Sequence, residues 1–144
     1  MSKFSHKLVT GDVELQEACE VRRQVFVREQ GIAEDLVFDG HDREALHMVV
    51  KDRDRVMGSA RVRFLADNQA KLERMAVLKR YRGKGIGREM LLFLNEIWKD
   101  RQVQQVIIHA QLEVVSFYRL CGFDEVGTPF REAGIKHIKM RKQL

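Results

Sequence analysis

"VLKRYRGKGIGREMLL", Val77–Leu92, sets five basic residues (Lys79, Arg80, Arg82, Lys84, Arg88) and three glycines (Gly83, Gly85, Gly87) directly ahead of an apolar helical pattern. Ile86, Met90, Leu91, Phe93, Leu94, Ile97 and Trp98 recur at helical spacing to about residue 100. "VIIHA", Val106–Ala110, then forms a continuous apolar run of strand length, as a strand covered on both faces would. With "QAKLERMAVL" (69–78) read as a strand before the turn, the order is strand, glycine-rich turn, helix, buried strand: a βαβ unit. A helix N-terminus carries unpaired N–H groups and the positive end of the helix dipole. Glycines let main chain approach a phosphate with no side chain in the way. A phosphate-bearing ligand is therefore expected at residues 82–87.

The rest of the chain extends this unit into a mixed sheet. "HKLVTG" (6–11) reads as a short strand, and Asp12 is placed to cap a helix running through residues 13–30, with Val13, Leu15, Ala18, Val21, Val25 and Phe26 as its buried stripe. "GIAEDLVFDGHDRE" (31–44) is acidic and aperiodic, a loop with one helical turn that suits a lid or a substrate-facing segment. "ALHMVVKD" (45–52) and "RVMGSARVRFL" (55–65) alternate as antiparallel strands, the second pairing with 69–78. A short helix at 112–120 should end near Gly122, and "FDEVGT" and "IKHIKMR" close the sheet. The expected class is α/β, with a mixed, mostly antiparallel sheet of about seven strands flanked by about four helices.

Bulk composition narrows the partners. A chain of 144 residues with 44% hydrophobic and 33% charged residues is expected to be one domain, 1–144, able to bury a core without staples. A net charge of +5 favours an anionic partner without choosing among nucleotide cofactors, nucleic acid and acidic surfaces. Cys19 and Cys121 do not form a disulfide framework or a zinc site, so no metal is expected, and a reduced, cytoplasmic protein is the default. No apolar run has the length of a signal peptide or a membrane span.

Two common phosphate motifs fail. The dinucleotide fingerprint G-x-G-x-x-G, counted from Gly83, meets Arg88 at its last position, and the P-loop fails because Gly85 follows Lys84. Arg82-Gly83-Lys84-Gly85-Ile86-Gly87 does match R-x-x-G-x-G. It resembles the pyrophosphate-binding turn of the GNAT superfamily of acetyl-CoA-dependent N-acetyltransferases. Downstream, Gln111-Leu-Glu-Val114-Val-Ser-Phe117-Tyr118-Arg-Leu-Cys-Gly122-Phe123 is similar to that family's N-x-x-A-x-x-F-Y-x-x-x-G-F segment, with Gln for Asn and Val for Ala. Arg22-x-x-Val25-Phe26-x-x-Glu29-Gln30-Gly31, "ALH" at 45–47, "HAQ" at 109–111 and His137-x-x-Met140 resemble the small bacterial ElaA/YjcF-like branch.

The resemblance implies roles. Acetyl-CoA would be the cosubstrate, held by main chain at Met75, Ala76 and Val77, by the turn Arg82 to Arg88 (Arg82, Gly83, Lys84, Gly85, Ile86, Gly87, Arg88), and by Gln111, Phe117 and Tyr118. Tyr118 stands at the family's position for the acid that protonates the leaving thiolate. Core packing explains Phe117 and Tyr118 equally well as residue types. For the general base the reading favours Glu73, which lies two residues before Met75 on one strand, so that the period of two puts both side chains on one face. His137 and His109 have a side chain that titrates in the useful range, and Glu29 is a further candidate. Neither cysteine sits at a matched nucleophile position, so the amine should attack directly.

The implied activity is acetyl transfer to a primary amine of a small molecule. Glu34, Asp35, Asp39 and Asp42 would favour a cationic amine, or else simply solvate their loop. An acyl-CoA-binding regulatory module without turnover is the alternative. A nucleic-acid-binding domain is disfavoured because Tyr81 is the only aromatic residue among the basic ones. Neither nucleic acid nor membrane is an expected partner, and a homodimer is compatible with the fold without any residue pointing to it.

Overall fold

Ile86–Asp100 forms the longest helix, α3, because Ile86, Met90, Leu91, Leu94 and Trp98 fall on one face and are all buried. The computed structural model describes residues 3–144. In it α3 connects strand β4 (Gln69–Val77) to β5 (Gln105–Gln111), and the two strands pair in parallel. The other strands are β1 (Ser5–Leu8), β2 (Leu46–Asp52), β3 (Arg55–Leu65), β6 (Asp124–Glu132) and β7 (Ile135–Gln143). All seven form one sheet in the order β1-β2-β3-β4-β5-β7-β6, and every pairing except β4–β5 is antiparallel. Helix α1 (Asp12–Arg22) packs on β2, β3 and β4, the single turn α2 (Glu34–Val37) precedes β2, and α4 (Val115–Leu120) packs on β5 and β6. The architecture is the mixed α/β sheet with four helices that the sequence predicts. Among the described residues no helix is long and apolar enough to cross a membrane.

Four local readings change. The helix expected to run to residue 30 switches at Arg23 to a π-helical segment, Arg23–Glu29, in which the Gln30 N–H donates to the Val25 carbonyl at 3.1 Å, five residues back. Gly11, not Asp12, precedes the first helical residue, and no side chain caps it. Glu14 takes over by reaching back to accept the Thr10 N–H at 2.8 Å, while the ammonium groups of Lys7 and Lys51 hold its carboxylate. Val13, placed by the sequence in the buried stripe, is 72% exposed. Strand β6 also continues past residue 128 to Glu132, through an irregularity between Val126 and Phe130.

The core joins α1, α3 and the sheet. Met48, Val49, Val50, Met57, Met90, Leu94, Trp98, Phe123 and Met140 are essentially inaccessible to solvent. Leu94→Ala should remove packing that nothing nearby can replace and cost about 2–5 kcal/mol. Chemical denaturation at neutral pH checks this, and a loss well under 1 kcal/mol would mean that α3 is not seated as described.

Candidate active site

Parallel pairing between β4 and β5 runs only from Gln69–Gln105 to Leu72–Ile108, after which the strands part. The cause lies on the other edge of β4. Arg61 pairs with Glu73 and Ser59 with Ala76, so two residues, Arg74 and Met75, face the single Ala60. This β-bulge turns on Arg74, whose φ of 54° lies in the left-handed region. Between the parted strands opens a cleft of about 710 Å³, bounded by the π-helical segment, the turn before α3, α4 and the β6–β7 hairpin.

The turn has an open concave face. Gly83 and Gly85 have φ of 77° and 79°, and a Cβ built on either would meet no atom within 4 Å. Gly85 is the residue before α3, so the N–H groups of Ile86, Gly87 and Arg88 start the helix without partners inside it. Lys84 and Arg88 are exposed beside them. Gly87 also serves packing: its Cβ would sit 3.0 Å from Phe117 Cζ and 3.5 Å from Met75 Cε. Arg82 donates to the Val77 carbonyl through Nε and to both oxygens of Glu29, at 2.6 and 2.8 Å. Gln111 reaches out to Gln30, Nε2 to Oε1 at 2.9 Å.

Tyr118 reaches the bulge from α4. Its hydroxyl lies 3.6 Å from Met75 Sδ, and its half-buried ring meets Phe117 and Phe123 edge-on at 5.0 and 5.7 Å. Burial pushes the phenol above its ordinary pKa, so it stays protonated.

Glu73 does not share a face with Met75. Cross-strand partners lie on the same face, so Glu73 and Ala76 follow Arg61 and Ser59 toward α1, whose Ala18 carbonyl accepts from Ser59 Oγ. The extra residue in the bulge sends Met75 to the other face, against Gly87 and Tyr118. Expecting both on one face assumed an unbroken period of two, and Arg74 breaks it. Glu73 also accepts from Arg61 and Arg63 and pairs with Lys71 at 3.3 Å. Burial alone would raise its pKa, but Arg63, Arg61 and Lys71 outweigh burial and hold it at about 2. Such a carboxylate does not take a proton from an amine, and the base role inferred from strand alternation is withdrawn.

The histidines stand on the opposite wall. His137 is buried and donates Nδ1–H to the Ile135 carbonyl at 2.8 Å, which leaves Nε2 as an acceptor 3.9 Å from Glu132 Oε2. His109 Nδ1 lies 3.1 Å from Glu132 Oε1, so one carboxylate serves both rings, and the Phe130 ring contacts each of them. Both histidines line the cleft.

The acidic loop 31–44 is neither free nor simply solvated. Glu34 pairs with Arg23, Asp39 with Arg61 and Arg74, and Asp42 with Arg22 and Arg61. A cationic amine would have to compete with these arginines, so the acidic composition gives no preference for one. Sequence reasoning missed Arg61 and Glu132. The first left a signal, because Arg61, Arg63, Lys71 and Glu73 alternate along strands read as paired.

Residues 12–144 match the model of the Acetyltransferase (GNAT) domain. The uncharacterized N-acetyltransferase YjcF of Bacillus subtilis is 33% identical, with 94% of this chain and 96% of that protein covered. A solved structure from Lactobacillus plantarum superposes with a TM-score of 0.92 at 30% identity over 98% of each chain. Escherichia coli ElaA shares the fold, with a TM-score of 0.87 at 23% identity, 97% of this chain and 99% of that one.

The Glu73 network makes stability depend on acid. Its pKa is depressed in the folded protein from an ordinary 4.5, so its contribution is complete above about pH 4.5 and disappears as pH falls toward 2. Glu73→Gln should abolish that part of the acid-unfolding profile and lower Tm at neutral pH, because Arg61 then loses a buried partner. Thermal melts of both proteins between pH 2 and 7 test this; superimposable profiles would contradict it.

Proposed function

This chain belongs to the GNAT acetyltransferase family, and we propose that it moves an acetyl group from acetyl-CoA to a primary amine of a small molecule, by direct attack and within one domain of 144 residues. The observation that carries this reading is the open glycine turn at the head of α3 beside a bulged strand, with the Tyr118 hydroxyl at the bulge. Acetyl-CoA, when bound, supplies an activated acetyl thioester. The residues fit such a ligand: Gly83 and Gly85 leave room for a pyrophosphate, helix N–H groups point into that room, and Lys84 and Arg88 add charge.

The chain's own groups then divide the work. Main chain within Met75, Ala76 and Val77, on the splayed part of β4, supplies an N–H that donates to the acyl carbonyl oxygen as charge develops there. Tyr118, protonated at neutral pH as phenols are, donates to the sulfur as the carbon–sulfur bond breaks. His137 accepts the proton of the incoming amine on Nε2, since Nδ1 is committed to Ile135. Glu132 beside it stabilises the imidazolium that forms.

Production of an acetylated amine from acetyl-CoA and an amine panel, read by mass spectrometry, tests the reaction. Gly85→Val should abolish acetyl-CoA binding in calorimetry, because it forces a branched residue into φ of 79° at the phosphate face. Tyr118→Phe should reduce turnover by roughly 10²-fold at unchanged acetyl-CoA affinity. His137→Gln should slow the reaction at neutral pH and recover in part at high pH, where solvent has deprotonated the amine. Normal turnover in a folded Tyr118→Phe protein would remove that hydroxyl from the mechanism.

A further inference from the structure

We infer that the acceptor is zwitterionic, an amine that also bears an anionic group, carboxylate or phosphate, and that Lys71 and Arg74 receive this anion. The inference rests on the acetyl-transfer reading of the cleft and adds the acceptor's charge to it. Among the described residues, Asp39, Asp42 and Glu73 join Arg22, Arg61, Arg63, Lys71 and Arg74 in one connected ionic network, with five cations to three carboxylates. The His47 imidazole beside it brings no negative charge: its Nδ1 accepts from Arg22 and its Nε2–H donates to the Asp42 carbonyl.

The surplus has no relief in the interior. The Arg22 and Arg61 side chains are 0% exposed, and unpaired charge taken out of water is costly. Of the network's members, the cations Lys71 and Arg74 and the carboxylate Glu73 line the cleft, and Glu73 is already held by Arg61 and Arg63. Arg74 is fixed there by the Val37 and Leu36 carbonyls and Asp39, through Nε and Nη2. Burial and the neighbouring Arg61 lower its pKa, as expected of a cation short of counter-charge. The facing wall carries Glu132 with His109 and His137, which suits the amine end of the same molecule. Phe26, Ile32 and Leu36 border the space between and give an apolar side chain a surface to cover.

The test is a binding comparison that needs no turnover. The protein is titrated with leucine and with leucinamide, and in parallel with O-phosphoethanolamine and ethanolamine, each with and without CoA, following backbone amide signals by NMR. At least one anion-bearing amine should bind about 10-fold more tightly than its counterpart lacking the anion. The pair that discriminates identifies carboxylate or phosphate as the anion. Lys71→Gln should erase the difference while CoA affinity stays unchanged. Equal binding within both pairs, or tighter binding of leucinamide and ethanolamine, overturns the inference. Failure of CoA itself to bind counts against the acetyl-transfer reading instead, and the CoA-free titrations still decide the acceptor's charge.

Discussion

One extra residue in β4 governs the rest. Placing Arg74 and Met75 opposite Ala60 turns the strand, ends its ladder with β5 at Leu72 and exchanges the two faces beyond it. A left-handed arginine costs about 1–3 kcal/mol. Three side-chain bonds of Arg74, to Val37, Leu36 and Asp39, stand against that cost and tie the bulge to the loop above it. Without the bulge Glu73 and Met75 would share a face, and the strands would have no reason to part.

The second structural theme is charge stored beneath the cleft. Arg61 is fully buried on β3 and bonds to Asp39, Asp42 and Glu73, linking the loop before β2 to two strands. An acidic loop is thereby fastened to a polar base rather than left to solvent. The same bonds explain why Glu73 is a structural anion: three cations surround it, and its proton affinity falls too far for general-base work.

Much of this was legible in the residues. Periodicity gave α3 and the buried strand β5, and glycine spacing gave the open turn, because those patterns depend on neighbours close in sequence. The bulge escaped notice: Arg74 looks like any strand residue, and its φ is set by partners from residues 36–39. Gly87 was read with the phosphate turn, whereas its missing Cβ makes room for the Phe117 ring. Glu132 lay beyond the predicted end of β6, so its place between His109 and His137 could not be read from spacing.

The pairing of Glu29 with Arg82 gives the turn a resting state. Arg82 is pinned by the Val77 carbonyl and a carboxylate, so its long side chain has already surrendered most of its rotamers before any ligand arrives. Both partners are more than a third exposed, and such a pair is worth only about 0–1 kcal/mol. In the proposed function an arriving anion would therefore exchange with Glu29 at small cost instead of ordering a free arginine. On that reading the carboxylate is a placeholder, and Gln30, next in the chain, accepts from Gln111. The pair thus joins the turn before α3 directly to the π-helical segment that borders the cleft.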